Sequence, residues 1–273
     1  MQSTRSGTLI ISDLHLGSEL SRAKDALALL QSRRFKRLIL LGDIFSDLNF
    51  RRLTKEHWKF LSYIRKLSNP RRKIEVVWVE GNHDYGLAEL MSHLVGVPVY
   101  QQYVWEENGK RHLAVHGHQF DRFVINNYFF SRVGEWFYLH IQRLDTKEKR
   151  FARYLDQLNT KWLRLSNKVS AGALSYAKQV GADRIFCGHT HVAEQAERED
   201  VEYYNSGSWI DARCTYICIS AEGVRINEFS NVFSQRADGR HTGEEREETS
   251  ASSARFPLPP GLRDDAVYES VHS

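Results

Sequence analysis

The stretch Ile74-Glu75-Val76-Val77-Trp78-Val79-Glu80-Gly81-Asn82-His83-Asp84 decides the fold. Its first half is a short run of β-branched and aromatic residues, of the length and type of a buried strand. Its second half sets a glycine, an amide, an imidazole and a carboxylate at the strand's end. The same arrangement recurs along the chain. Asp13-Leu14-His15 follows Thr8–Ser12, and Gly42-Asp43 follows Arg37–Leu41. His116-Gly117-His118 follows Leu113–Val115, and Gly188-His189-Thr190-His191 follows Arg184–Cys187. Later short runs at Val201–Tyr204, Thr215–Ser220 and Val224–Phe229 read as further strands, closely spaced and so antiparallel or mixed in pairing.

Helical patterns lie between the early strands. Arg22–Arg34 carries Ala23, Ala26, Leu27 and Leu30 on one face, with Ser21 as its N-cap. Lys55–Ser68 carries Trp58, Leu61, Ile64 and Leu67 at similar spacing. Strand–helix–strand alternation predicts a layered α/β domain. In such folds strand ends converge on one edge, the usual place for a site. Strand alternation would turn Asp13 and His15 to one side, and His189 and His191 likewise.

The composition agrees with a globular chain. Of 273 residues, 41% are hydrophobic and 26% charged, which excludes a wholly disordered or fibrous chain. No apolar run is long enough to span a membrane, and the run before Asp13 is too short for a signal peptide. Three cysteines make no disulfide framework, so a reducing, cytoplasmic setting is expected.

The net charge is +4, unevenly spread. Asp121–Val180 holds 11 Lys/Arg against 5 Asp/Glu and reads as the seat of the positive excess. It is also rich in aromatics and has no strand pattern, so it is expected to be two or three inserted helices. Residues 231–273, with 5 Arg against 8 Asp/Glu and low hydrophobicity, are expected to be a disordered tail. Residues 1–230 form the expected single domain.

The five clusters together hold 6 of the 12 histidines. A lone histidine is usually structural, but five such clusters in order after strands are not accounted for in that way. Asp, His and Asn on one edge make a metal site. Imidazole, carboxylate and amide oxygen suit manganese, iron, zinc or cobalt, whereas magnesium prefers fewer histidines. The candidate ligands are seven: Asp13, His15, Asp43, Asn82, His116, His189 and His191. That number points to two divalent ions, manganese being the first choice, sharing a bridging carboxylate.

The combination Asp-x-His, Gly-Asp, Gly-Asn-His-Asp, a His in a Gly-His context and Gly-His-x-His resembles the calcineurin-like metallophosphoesterase family over about residues 7–230. The resemblance implies a four-layer α/β/β/α sandwich with a dimetal site at one edge and a helical cap inserted at about 121–180. It implies that Asp13, His15, Asp43 and His191 hold one metal. Asp43, as the bridge, with Asn82, His116 and His189 would hold the other. His83 would act at the phosphoryl oxygen or leaving group as general acid or charge stabiliser. A metal-bridging hydroxide would attack phosphorus in line.

Within the family the likeness is to UDP-2,3-diacylglucosamine hydrolases and their relatives. It is carried by His116-Gly117-His118-Gln119-Phe120-Asp121, by the insertion after it, by Cys187–Ala193 and by Tyr204–Trp209. It implies cleavage of the pyrophosphate of a nucleotide-linked lipid, with the insertion covering the acyl chains and peripheral contact with a membrane. The chain departs from that subfamily by having His83 where the lipid enzymes have Arg. It departs from the family by having Ser46 three positions after Asp43, where an acid supports the catalytic histidine. Either Asp84 or the nearby Asp47 takes over that support, or it is absent. Arg122, Asn126, Arg153 and Lys168 are candidate substrate contacts. No nucleic-acid-binding motif is visible. The alternatives are a phosphodiesterase or phosphatase on a soluble substrate such as a cyclic nucleotide, and a metal-bound scaffold protein. The sequence does not fix the oligomeric state.

Overall fold

A computed structural model describes residues 6–47, 49–86, 92–93, 95–121, 166–211 and 213–230. Two mixed sheets form the frame. The first has the order β11-β10-β1-β2-β3-β4, built from β1 (Ser6–Ile11), β2 (Phe35–Leu41), β3 (Glu75–Val79), β4 (Val99–Tyr100), β10 (Cys214–Ser220) and β11 (Gly223–Phe229). The second has the order β5-β6-β7-β9-β8, from β5 (Gln102–Glu107), β6 (Lys110–Val115), β7 (Arg184–Cys187), β8 (Ala193–Arg198) and β9 (Val201–Ser206). β1 to β4 run parallel in the first sheet, and β6, β7 and β9 run parallel in the second. The hairpin β10–β11 closes the first sheet antiparallel to β1.

Strand alternation sorts the core into three layers. Ile10, Ile39, Leu41, Val77 and Val79 face the second sheet and pack on Trp105, Ala114, Phe186 and Tyr204. The alternate residues Leu9, Ile11, Leu38, Leu40, Val76 and Trp78 face α1 (Ala23–Ser32) and α2 (Lys55–Leu67). On the far side, Leu113, Val115, Ile185 and Cys187 pack on Ala173, Leu174 and Ala177 of α3, helical over its described residues 166–179. Burial on both faces explains why these strands read as continuous apolar runs. The result is the α/β/β/α sandwich.

Several expectations need correction. Ser21 does not cap α1: the N-cap is Arg22, without a side-chain cap bond, and the Ser21 hydroxyl donates to the carbonyl of Leu14 at 2.7 Å. Trp58 is not in the core but 50% exposed, and the buried face of α2 is His57, Phe60, Leu61, Ile64 and Leu67. β4, β5 and β8 were not foreseen. Most of the expected cap, residues 122–165, and the expected tail from 231 onward lie outside the described residues. No described helix is long and apolar enough to cross a membrane.

Candidate metal centre

The ends of β1, β2 and β3 in one sheet, and of β6 and β7 in the other, meet at one edge. Backbone bonds lace the loops there: Asp13 N–H donates to Gly42 O (3.1 Å), His15 N–H to Asp43 O (3.0 Å), and Gly188 N–H to His116 O (2.9 Å). Two triads of donors result. Asp13, His15 and His191 bring one atom each within 4.8 Å of one another, and so do Asp43, His116 and His189.

The reason that Asp13 and His15 meet is not strand alternation. Both lie beyond β1, with left-handed backbone at φ 52° and 47°. Asp43, His189 and His191 are likewise left-handed, at φ 50°, 68° and 58°. Residues other than glycine seldom adopt this conformation, although Asn, Asp and His do so more than most. β1, β2 and β7 therefore each end in a sharp turn that swings a candidate ligand over the sheet edge.

Within the first triad, His191 Nε2 lies 3.2 Å from Asp13 Oδ1 and 3.2 Å from His15 Nε2. Within the second, His116 Nε2 lies 3.1 Å from Asp43 Oδ2. These approaches are close, yet Asp13 Oδ1 and His116 Nε2 are buried with no partner in hydrogen-bond geometry. Leaving buried acceptors so arranged is costly unless something else binds them. The Asp13 carboxylate oxygen, and the mixed carboxylate–imidazole donor set with His116 giving up its proton on binding, fit divalent cations. Asn82 is buried in the turn after β3.

Electrostatics hold the acids ionised. Burial would raise the Asp43 carboxyl, but the charges of His116 and His83 bring it well below the usual carboxylate range. Burial likewise opposes the lowering of Asp13, and the close approach and charge of His191 overcome it. His116 is pushed up to about 10: burial works against this, and Asp43 outweighs it. Burial takes His15 down to about 3.

Glycines make room for this packing. A Cβ on Gly81 would run into the Asp43 carboxylate, and one on Gly188 into Asp13 and Ser12.

His83 stands over the second triad, its Nε2 3.9 Å from Asp43 Oδ2 and its backbone N–H donating to Asp43 Oδ1 at 2.9 Å. Its Nδ1 lies 2.9 Å from the carbonyl oxygen of Ser46. The backbone of Ser46 thus meets the ring at the position where an acid was expected. Asp84 accepts from Gly81 N–H (2.6 Å) and Ile44 N–H (2.9 Å), tying the β2 and β3 loops together. Burial, then Asp43, raises the Asp84 carboxyl to about 6. Asp47 accepts from Asn49 N–H and pairs with Arg52 at 2.6 Å.

Two further residues come to the site without having been given a role. Asp121 is buried, its Oδ2 3.4 Å from His189 Nε2. The ring of His118 lies 5.6 Å from that of His116. Both stand in the quoted His116–Asp121 stretch, which was the only signal for them. Lys168 is exposed on α3, whereas Arg122, Asn126 and Arg153 lie outside the described residues.

Residues 8–221 match the model of the calcineurin-like phosphoesterase superfamily domain. The chain belongs to that superfamily. It is a metal-dependent phosphoesterase, and the metal it carries is left open by the donor set. No curated protein matches the chain in sequence. Among solved structures it is similar to Vps29 of Entamoeba histolytica complexed with zinc (14% identity, 82% of this chain and 99% of that one, TM-score 0.41). It is also similar to an archaeal phosphodiesterase (14%, 81% and 98%, TM-score 0.44). A third is Vps29 of Cryptosporidium parvum (13%, 82% and 97%, TM-score 0.44).

Proposed function

We propose that this phosphoesterase uses two metals to cleave the pyrophosphate of a nucleotide-linked lipid of the UDP-2,3-diacylglucosamine type. The observation that carries the two-metal reading is the pair of donor triads with His83 beside them. Asp13, His15 and His191 would hold one ion, Asp43, His116 and His189 the other, with Asp43 and Asn82 as the bridge and the remaining ligand. When bound, such ions lower the pKa of a water nucleophile and neutralise charge on the phosphoryl group.

The chain's own residues do the rest. The Ser46 carbonyl favours a proton on His83 Nδ1, which leaves Nε2 to serve the leaving oxygen. Asp84 keeps the β2 and β3 loops in register, so that His83 and Asp43 stay together. The lipid half of the reading is supported by the His116–Asp121 stretch and by the basic, aromatic insertion after it. His83 in place of the lipid enzymes' Arg favours the second reading, a soluble phosphodiester.

A phosphorus-NMR time course tests both. Manganese-loaded protein given UDP-2,3-diacylglucosamine in detergent should release UMP and the lipid monophosphate. His83→Ala should slow this about 10²–10⁴-fold while metal content by elemental analysis stays unchanged. Turnover of bis-p-nitrophenyl phosphate alone would discard the lipid substrate. Unchanged rates in His83→Ala would remove that residue from the mechanism.

A further inference from the structure

The positive charge is not confined to residues 121–180. Residues 33–73 hold 13 Lys/Arg against 3 Asp/Glu, and four of the 13, Lys55, Lys59, Arg65 and Lys66, stand on α2 in the helical layer outside the first sheet. Along α2 the residues Lys55, Trp58, Lys59, Ser62 and Lys66 recur at helical spacing and are all exposed. Trp58, at 50% exposure, stands in the middle of this lysine stripe. A shallow groove beside it is shared with α1, where Leu27 and Gln31 meet Trp58 and Tyr63. The one acid in the stripe, Glu56, is held below the usual carboxylate range by its bond to Lys59 and by the charges of Lys59, Lys24 and Lys55.

We propose that this outer face of α1 and α2 docks the protein on an anionic lipid bilayer, with Trp58 as the interfacial anchor. Charge complementarity selects an anionic surface. The half-exposed indole selects lipid over other polyanions. Lysines alone would serve a nucleic acid, whereas an indole ringed by lysines beside an apolar groove suits the headgroup boundary, where amphipathic rings partition. The position also fits. α2 begins at the site's rim: His57 Nδ1 accepts from Gly17 N–H at 3.2 Å, two residues beyond the ligand His15. The stripe therefore starts beside the metal centre and runs away from it, which would hold the site's rim near the bilayer. This surface is separate from the insertion and does not depend on which phosphate ester is cleaved.

Vesicle co-sedimentation of the full chain tests it, read without any hydrolysis. The protein should pellet with mixed phosphatidylglycerol–phosphatidylcholine vesicles, be released by high salt, and stay in solution with phosphatidylcholine alone. Lys55→Glu/Lys59→Glu/Lys66→Glu should lower the partition coefficient by about a hundredfold. Trp58→Ser should weaken binding with the melting temperature unchanged, since both sets of side chains are exposed. Wild-type-like binding by the charge-reversed protein would place the contact elsewhere and overturn the proposal. So would failure to bind anionic vesicles, or binding of single-stranded RNA in their stead.

Discussion

The carboxylate of Asp121 stands 3.4 Å from Nε2 of His189, at the start of the expected insertion. A metal-ligating imidazole needs its second nitrogen fixed, and a buried carboxylate does this while making the ring a better donor. Asp121→Asn should therefore lower the affinity for one of two metals by about 10–100-fold. Calorimetric titration of the metal-free protein would read this as one weakened site, and two unchanged sites would show that Asp121 is a bystander. The six donors of the two triads were legible because residue type and spacing alone single them out, while Asn82, the seventh candidate, is buried in the turn after β3. What fixes them was less so. Spacing cannot show that Asp13 and His15 sit in left-handed turns, or that a backbone carbonyl at Ser46 meets His83. Any residue supplies a carbonyl, so no letter in the sequence marks it.

At the scale of the element, α2 is held at its start by His57. Its Nδ1 accepts from both Gly17 N–H and Thr54 N–H at 3.2 Å, joining the helix to the loop that carries His15. Only the neutral ring can accept, and burial lowers the pKa of His57 below its ordinary value. The folded state thus binds its proton less readily than the unfolded chain. The contribution is present above pH ~6.5 and is lost as pH falls through the depressed folded value. Urea midpoints measured from pH 7.5 down to about 5 should fall more steeply for the wild type than for His57→Gln, which does not titrate. Parallel curves would remove the link. The three strands missed in the sequence share one cause. β4, β5 and β8 are all sheet edges, and β8 (Ala193–Arg198) is largely exposed. Edge strands tolerate the polar residues that a search for apolar runs passes over. β11, also an edge, was found because its residues still alternate.

For the whole molecule, the metal centre is the seam between the two sheets. Each triad draws on both: Asp13 and His15 from the first with His191 from the second, then Asp43 from the first with His116 and His189 from the second. Ions bound there would hold the layers together as well as serving chemistry. Manganese at a hundredfold excess over its Kd should stabilise the metal-free protein by about 2.7 kcal/mol. In a chain of this size that is about 5–10 °C in Tm by calorimetry. Asp43→Ala should lose most of this rise; a full rise in that variant would argue that the ions bind elsewhere. A layered α/β domain was legible because the strands buried on two faces read as apolar runs, and its four-layer order came from the family resemblance alone, whereas the outward-facing Trp58 was misread because helical spacing alone does not say which stripe faces water.

The strand order also sets a timetable for the newborn chain. β1 can pair with β2 almost at once, but its other neighbour, β10, is not made until residues 214–220. His15 likewise waits for His191, 176 residues later. At the usual pace of a ribosome that wait is about ten to thirty-five seconds. Throughout it, one edge of an apolar strand has no neighbour, and the amino-terminal half of the donor set has nothing to close upon. Closing the first triad around an ion would therefore have to wait until residue 191 is made.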